Sequence, residues 1–156
     1  MTILAHALSS SLIAITVTKT SKEQVYYLLI ALIVAAIPDL DHIFFLIRDW
    51  KTFRKVGLAG NLHKARSFFH EVLGIIIMGV ISFLASFINL KIGQIIFLSF
   101  IIHITQDMIV GISIPFAPVD KNEMKMFSFN FRQKLLIDVS IIFIFGLLWI
   151  KFLNGH

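Results

Sequence analysis

The sequence predicts an all-α fold, a polytopic membrane helical bundle of about five transmembrane helices in a single domain over residues 1–156. Hydrophobic residues make up 58% of the chain, and 16 of the 156 residues are Phe. The mean hydropathy of +0.89 is too high for a water-soluble domain of this size. The alternation of polar and apolar residues typical of barrel strands is absent, and helices satisfy their own backbone hydrogen bonds in lipid.

Five apolar stretches mark the predicted helices. They cover residues 3–18, 25–47, 72–90, 92–112 and 134–153. The first is short for a span of about 20 residues, and the second is long enough to pass the membrane edge. Because only Leu90 and Lys91 separate the third stretch from the fourth, these helices should form a tight antiparallel hairpin. The first residues lack the basic region of a signal peptide, so we expect the first stretch to stay in the membrane.

The distribution of positive charge predicts the orientation of the helices. Ten Lys and Arg residues lie between the second and third stretches or around the start of the fifth, whereas the opposite connections hold three. By the positive-inside rule, the N-terminus is cytoplasmic and the C-terminus is outside. We therefore expect a multi-pass protein of the cell membrane.

Charge and cysteine content limit the kinds of site that the chain can form. Lys and Arg number 14 against 9 Asp and Glu. In a membrane protein such an excess serves orientation and attraction to anionic lipid more than nucleic-acid binding. The chain has no Cys, so it forms no disulfide, and any metal site must use His and carboxylate ligands.

A polar cluster interrupts the second apolar stretch. The segment Pro38-Asp39-Leu40-Asp41-His42 places two carboxylates and an imidazole within four residues, with apolar sequence on both sides. Ionisable groups at membrane depth are costly, and a metal ion is the simplest single partner for so acidic a cluster. Helical geometry nearly aligns Asp39 with His42 and turns Asp41 elsewhere, unless Pro38 bends the helix. A helix end that reaches water is the simpler alternative.

Other ionisable residues fall at the same predicted depth. In a topology with five spans, the first and third helices begin on the side of the membrane at which the second and fourth helices end. His6 lies near the start of the first helix and His70 near the start of the third. His103 and Asp107 lie late in the fourth helix, four residues apart and therefore on one face. At 1.5 Å per residue, Asp39 and Asp107 each lie roughly 20 Å from the outer start of their helices. One shared site in the cytoplasmic half of the membrane is predicted, although a packing contact would account for His103 and Asp107 alone.

The order of these elements resembles the YdjM family of membrane-bound metal-dependent hydrolases. The resemblance rests on the early His6, the segment Pro38–His42, an Arg-containing segment ending in His70, and the His-x-x-x-Asp pair of the fourth helix. It extends through about Pro118 and implies a small inner-membrane hydrolase, distantly similar to zinc-dependent phospholipases C and single-strand-specific zinc nucleases. Carried over by position, the implied metal ligands are His6, Asp39, Asp41, His42, His70, His103 and Asp107.

One segment departs from the family pattern. The family usually has His-Arg-Gly-x-Thr-His before the third helix, whereas this chain has Ala65 in the first His position and Phe69 in the Thr position. His63, two residues upstream, is an alternative ligand if the loop is shifted. Arg66 is the candidate for clamping a phosphate with its planar fork. Glu71, which follows the segment, is the candidate general base.

These features predict a membrane-embedded metal-dependent hydrolase that cleaves phosphoester bonds of lipid-like substrates at the cytoplasmic side of the bilayer. Imidazole and carboxylate ligands favour Zn²⁺, as one or two ions. Expected partners are membrane lipid and a lipid-like or phosphorylated substrate, without nucleic acid, and oligomerisation is compatible with the sequence. An ion- or proton-coupled transporter is an alternative, against which the lack of a repeat argues. A second alternative is a protein in which the metal ion only stabilises the fold. Its distinguishing feature would be a closed coordination shell.

Overall fold

Five α-helices follow one another along the chain in the computed structural model. They are α1 (Ile3–Thr18), α2 (Ser21–Arg48), α3 (Val72–Ile88), α4 (Leu90–Val110) and α5 (Phe131–Asn154). The structure describes residues 2–18, 21–48, 70–111, 113–116, 119–120 and 122–154, and it describes residues 21–23, 41–46 and 48 by their backbone only. Within this part of the chain, the only β pairing is an antiparallel bridge between Ser113 and Met124. The all-α prediction is confirmed, and each predicted apolar stretch corresponds to one helix.

Two of the described helices, α4 and α5, are long and apolar enough to cross a membrane by length and composition. The helices α1, with 16 residues, and α3, with 17, are shorter. The apolar part of α2 covers Gln24–Leu40. Helix length therefore supports a membrane-spanning protein, and the count of five spans stays a prediction.

The hairpin between α3 and α4 has a single connecting residue, Asn89. Its side-chain oxygen accepts hydrogen bonds from the amides of Lys91 at 2.9 Å and Ile92 at 3.4 Å, which caps α4. Its side-chain nitrogen donates to the hydroxyl of Tyr27 on α2 at 3.0 Å. The predicted hairpin is confirmed, but Leu90 and Lys91 belong to α4, because Asn89 alone supplies the cap.

Near this turn, α3 and α4 approach each other closely. The hydroxyl of Ser82 donates to the carbonyl of Gly93 at 2.6 Å. A Cβ atom on Gly93 would lie 1.9 Å from Ser86 Oγ and 2.6 Å from the carbonyl oxygen of Ser82. Small residues thus allow the two backbones to pack at this crossing.

The proline of the polar cluster lies inside α2. Pro38 has no amide proton, so the carbonyl of Val34 lacks its usual intrahelical donor. The helix nevertheless continues to Arg48. Asp39, directly after the proline, is therefore held on a continuous helix.

Two apolar clusters join the first four helices. The first contains Ala14, Tyr27, Ala31 and Ile95 from α1, α2 and α4. The second contains Val34, Met78, Phe100 and Ile104 from α2, α3 and α4. The first cluster lies toward the end of the bundle at which α4 begins, which leaves the opposite end for the ionisable residues.

The last helix, α5, packs against α1 through polar contacts near both of its ends. Asp138 Oδ1 accepts a hydrogen bond from the amide of Thr2 at 3.0 Å. Trp149 Nε1 donates to Ser11 Oγ at 2.8 Å. Of the α5 residues, all of which the structure describes, only Asp138 is buried. The apolar surface of this helix therefore faces outward, as expected in lipid.

Candidate metal centre

Four ionisable side chains from three helices converge at one end of the bundle. The helix α1 contributes His6, α2 contributes Asp39, and α4 contributes His103 and Asp107. One ligand atom from each of these residues lies within 4.8 Å of the others. All except Asp39 are buried, and the side chain of Asp39 is only 12% exposed. The prediction that these four residues come together is confirmed, and their depth in the membrane stays a prediction.

The spacing of the nitrogen and oxygen atoms suits a common central ion. His103 and Asp107 share a face of α4, and His103 Nε2 lies 3.8 Å from Asp107 Oδ2. From α2, Asp39 Oδ1 lies 3.7 Å from His103 Nε2. These separations are too long for hydrogen bonds. Because zinc ligands lie about 2 Å from the ion, two atoms at either of these separations are able to bind the same ion.

His70 joins the cluster from the segment that opens α3. Its Nε2 lies 3.9 Å from Asp39 Oδ1 and 3.8 Å from Asp107 Oδ2. Its ring centroid is 5.7 Å from that of His103. A fifth residue of the predicted set therefore lies at the same place.

A hydrogen bond determines the orientation of His6. Its Nδ1 donates to Gln106 Oε1 at 2.8 Å, and the same oxygen lies 3.5 Å from the donor Ser9 Oγ. With the proton on Nδ1, Nε2 of the neutral ring carries a lone pair. This atom lies 3.2 Å from Asp107 Oδ1, so a cation or a proton is needed between them. Metal-binding histidines typically donate their other N–H in this way.

The charge of the cluster favours a divalent cation over a proton. Asp39 and Asp107 bring two carboxylates together at a site with little access to water. Like charges repel strongly there, and their desolvation is costly. A proton between His6 and Asp107 would serve only that pair. One divalent cation balances both carboxylates and binds the imidazole nitrogens as well, so the residues present fit a metal ion.

One known protein family matches almost the whole chain. A family profile described as YdjM inner membrane protein matches residues 1–154. The chain belongs to the YdjM inner membrane protein family. Searches of curated proteins and of solved structures find no match. Membership of the YdjM family places the protein in an inner membrane, which agrees with the two helices that are able to cross a bilayer.

Several predicted site residues of this YdjM family member lie outside the described part of the chain. Asp41 and His42 belong to α2 by their backbone, but their side chains are not described. Arg66 falls in the stretch 49–69, which the structure does not describe, as do Ala65 and His63. The roles predicted for these residues stay predictions.

Glu71, the predicted general base, contacts the segment that follows α4. Its Oε1 accepts a hydrogen bond from the amide of Ile114 at 2.7 Å, and its Oε2 accepts one from the hydroxyl of Ser113. The amide of Val72 donates to the carbonyl of Pro115 at 3.3 Å. Glu71 therefore anchors this segment to the start of α3, in addition to any role as a base.

Sequence reasoning missed two residues that support the centre in this member of the YdjM family. Gln106 accepts the Nδ1 proton of His6, and Ser9 lies against the same amide oxygen. In the sequence, the only indications of these roles are that Gln106 precedes Asp107 in an apolar helix and that Ser9 follows His6 by about one turn. Neither signal indicates by itself which helix the side chain contacts.

Proposed function

We propose that this YdjM family member is a membrane-embedded hydrolase that depends on a divalent metal ion, with Zn²⁺ as the best match to its ligands. One observation carries the proposal: the ligand atoms of His6, Asp39, His103 and Asp107 lie within 4.8 Å of one another. Burying so many polar groups together is costly unless a partner satisfies them. A catalytic metal ion is such a partner, and it leaves a coordination position open for substrate.

In this proposal the residues of the centre bind the ion through imidazole nitrogens and carboxylate oxygens that face one another. When bound, a divalent ion lowers the pKa of a bound water to near neutral and polarises a phosphoryl oxygen. His6 and His103 present Nε2, and Asp39 and Asp107 present carboxylate oxygens. With His70 also at the centre, five residues are present where a typical catalytic zinc has three protein ligands, so the centre has enough ligands for one ion or for two.

An open apolar groove supports a lipid-like substrate. The groove, of about 500 Å³, is lined by residues of α1, α4 and α5, most of them apolar, such as Leu12 and Phe145. Ser9 also lines it, and Ser9 Oγ lies 3.5 Å from the oxygen of Gln106 that accepts the Nδ1 proton of His6. One end of the groove is therefore separated from the metal centre by Ser9 and Gln106. A hydrocarbon chain suits this lining, with the polar headgroup placed at the ligands.

The charge pattern supports a phosphoester as the bond that is cleaved. Six Lys and Arg residues lie between positions 48 and 70, next to the helix ends that carry the centre. Basic residues at a membrane surface attract anionic headgroups. In this proposal Arg66 binds the phosphate and Glu71 exchanges a proton with the reacting groups. The protein crosses the membrane five times with its N-terminus in the cytoplasm, so the reaction takes place on the cytoplasmic side.

Metal analysis and turnover of the purified protein test the proposal. We expect bound Zn²⁺ in the wild type, and a lower zinc content in Asp39→Ala and His103→Ala, because each substitution removes a ligand and leaves buried charge uncompensated. Asp120→Ala, which removes a carboxylate outside the helices, is the matched control and should keep its zinc. Zinc-dependent cleavage of phosphatidylglycerol in vesicles should be lost in the first two variants.

The outcomes separate the alternatives. Normal zinc content in both ligand variants would exclude the shared site. Bound zinc in a closed coordination shell, without cleavage of any phosphodiester, would favour a structural metal. Passage of the ion across the membrane of proteoliposomes would favour a transporter.

A further inference from the structure

The helices α1 and α4 keep one register over about two turns from the metal centre. His6 of α1 stacks on His103 of α4, with ring centroids 3.8 Å apart and planes at 20°. Two turns further along α1, Ala14 lies in one buried cluster with Ile95 of α4. The helices α1 and α4 are therefore antiparallel, and the residues midway between these two contacts face each other.

The layer midway consists of small residues, Ser10 of α1 and Ser99 of α4. Both are fully buried, with 0% of each residue exposed. On α2, Asp39 lies at the metal centre and Ala31 lies in the apolar cluster, so Ala35 occupies the same middle layer. Ala35 is also buried. This layer thus lies between the metal centre and the apolar cluster of Ala14, Ala31 and Ile95, with two hydroxyl groups and one methyl group.

The two hydroxyls of this layer behave differently from most other helix hydroxyls in the chain. Ser9, Thr18 and Ser86 each donate to a carbonyl of the preceding turn at 2.9 Å, as is common in helices. Within the described part of the chain, Ser10 Oγ and Ser99 Oγ have no hydrogen-bond partner. A buried hydroxyl without a partner is unfavourable. Neither hydroxyl therefore bonds to a carbonyl of its own helix, and both need a partner from elsewhere.

A third polar atom borders this layer. His103 Nε2 faces Asp39 and Asp107, so Nδ1 lies on the other side of the ring. Among the described residues, His103 Nδ1 also has no hydrogen-bond partner. Side chains in a helix lean toward its N-terminus, and Ser99 lies one turn before His103 in that direction.

We propose that Ser10 and Ser99 bind a water molecule that accepts the Nδ1 proton of His103 and thereby positions its Nε2 toward the metal ion. This role rests on the metal-binding function proposed for the centre. Two hydroxyls and one ring nitrogen supply the three hydrogen bonds that a buried water typically makes. The third residue of the layer, Ala35, has a small side chain without a polar atom to compete for these hydrogen bonds. The water would accept the Nδ1 proton of His103, as Gln106 accepts that of His6 with Ser9 beside it.

The zinc affinity of Ser10→Ala and Ser99→Ala tests this positioning role. Zn²⁺ is titrated into the full chain in detergent micelles, in competition with a chelator of known affinity. Each variant should bind Zn²⁺ about 10–100-fold more weakly than the wild type, the usual effect of losing a hydrogen-bond partner of a metal ligand. The unfolding temperature of the metal-free protein should change no more than in the control. Ser86→Ala is that control, because it removes a helix hydroxyl distant from the centre.

Each outcome decides the matter. Wild-type zinc affinity in both Ser10→Ala and Ser99→Ala would overturn the positioning role, and so would an equal loss of affinity in Ser86→Ala. If the wild type binds no Zn²⁺, the metal-binding function and this role both fail. If the wild type binds Zn²⁺, and Ser10→Ala and Ser99→Ala have the same zinc affinity as Ser86→Ala, the positioning role fails while the metal-binding function stands. Should Ser99→Ala not fold, the affinity of Ser10→Ala decides.

Discussion

At the level of single residues, hydrogen bonds determine which atoms of the candidate centre are able to bind a metal ion. A histidine has two ring nitrogens, and only the one without a proton is a ligand. For His6 the partner Gln106 settles this choice, because its amide oxygen takes the Nδ1 proton at 2.8 Å. A carboxylate such as Asp107 needs no such partner. The imidazoles of this centre therefore depend on their surroundings more than its carboxylates do.

The contacts of Glu71 lead to a prediction about the segment after α4. Glu71→Ala removes the acceptors of Ile114 N and Ser113 Oγ. A hydrogen bond to a charged group contributes about 1.5–3 kcal/mol, so this segment should detach more readily from α3. We expect faster cleavage by protease between residues 113 and 130, with zinc content unchanged. The matched control is Glu123→Ala, which removes an exposed carboxylate.

A different result would change the role assigned to Glu71. Unchanged protease sensitivity in Glu71→Ala, together with lost turnover, would show that this residue acts in catalysis and does not anchor the segment.

At the level of the helices, small side chains let α3 and α4 pack closely. Ser82 bonds to the carbonyl of Gly93, and the missing Cβ of Gly93 makes room for Ser86. Close backbone contact gives van der Waals attraction and helix-to-helix hydrogen bonds, which are the main sources of helix association in lipid. The hairpin should therefore be sensitive to any added atom at this crossing.

Two glycine substitutions test this packing. Gly93→Ala places a Cβ 1.9 Å from Ser86 Oγ, so the helices must move apart, at a cost of about 1–3 kcal/mol. Gly146→Ala on α5 is the control, because its Cβ would meet nothing within 4 Å. Helix propensity alone makes the control more stable by up to about 1 kcal/mol. We expect a lower unfolding temperature for Gly93→Ala and an equal or higher one for Gly146→Ala, followed by circular dichroism in micelles. Equal stability of the two variants would rule out a tight crossing.

At the level of the whole molecule, the orientation in the membrane decides which compartment the candidate centre faces. The candidate centre lies at the start of α1, in the second half of α2 and late in α4. The basic residues cluster on the same side of the chain's predicted topology. This agreement between charge and ligand position favours a centre on the cytoplasmic side.

Cysteine labelling tests this orientation directly, because the chain has no Cys of its own. Lys125→Cys and Asn154→Cys each place one thiol at an exposed position, before and at the end of α5. In intact cells a membrane-impermeant maleimide should label Asn154→Cys and not Lys125→Cys, and both should be labelled after permeabilisation. The opposite pattern would invert the topology and move the centre to the other side.

The sequence by itself determined the helices and the depth of the site. Apolar length marks a helix in lipid without reference to its neighbours, and a fixed rise per residue places Asp39 and Asp107 at similar depths. The spacing of four residues was also enough to put His103 and Asp107 on one face. These are local properties of the chain, so they were predictable.

Only the tertiary structure decided which side chains meet. The bond between His6 and Gln106 joins residues 100 positions apart, and the contact of Glu71 with Ile114 crosses from one helix hairpin to the segment after it. A helix that is apolar all round has no polar face to show how it is rotated about its axis. That rotation is set by the packing of neighbouring helices. It brings Ser10 and Ser99 into the layer beneath the candidate metal centre, where the sequence had indicated no partner for either.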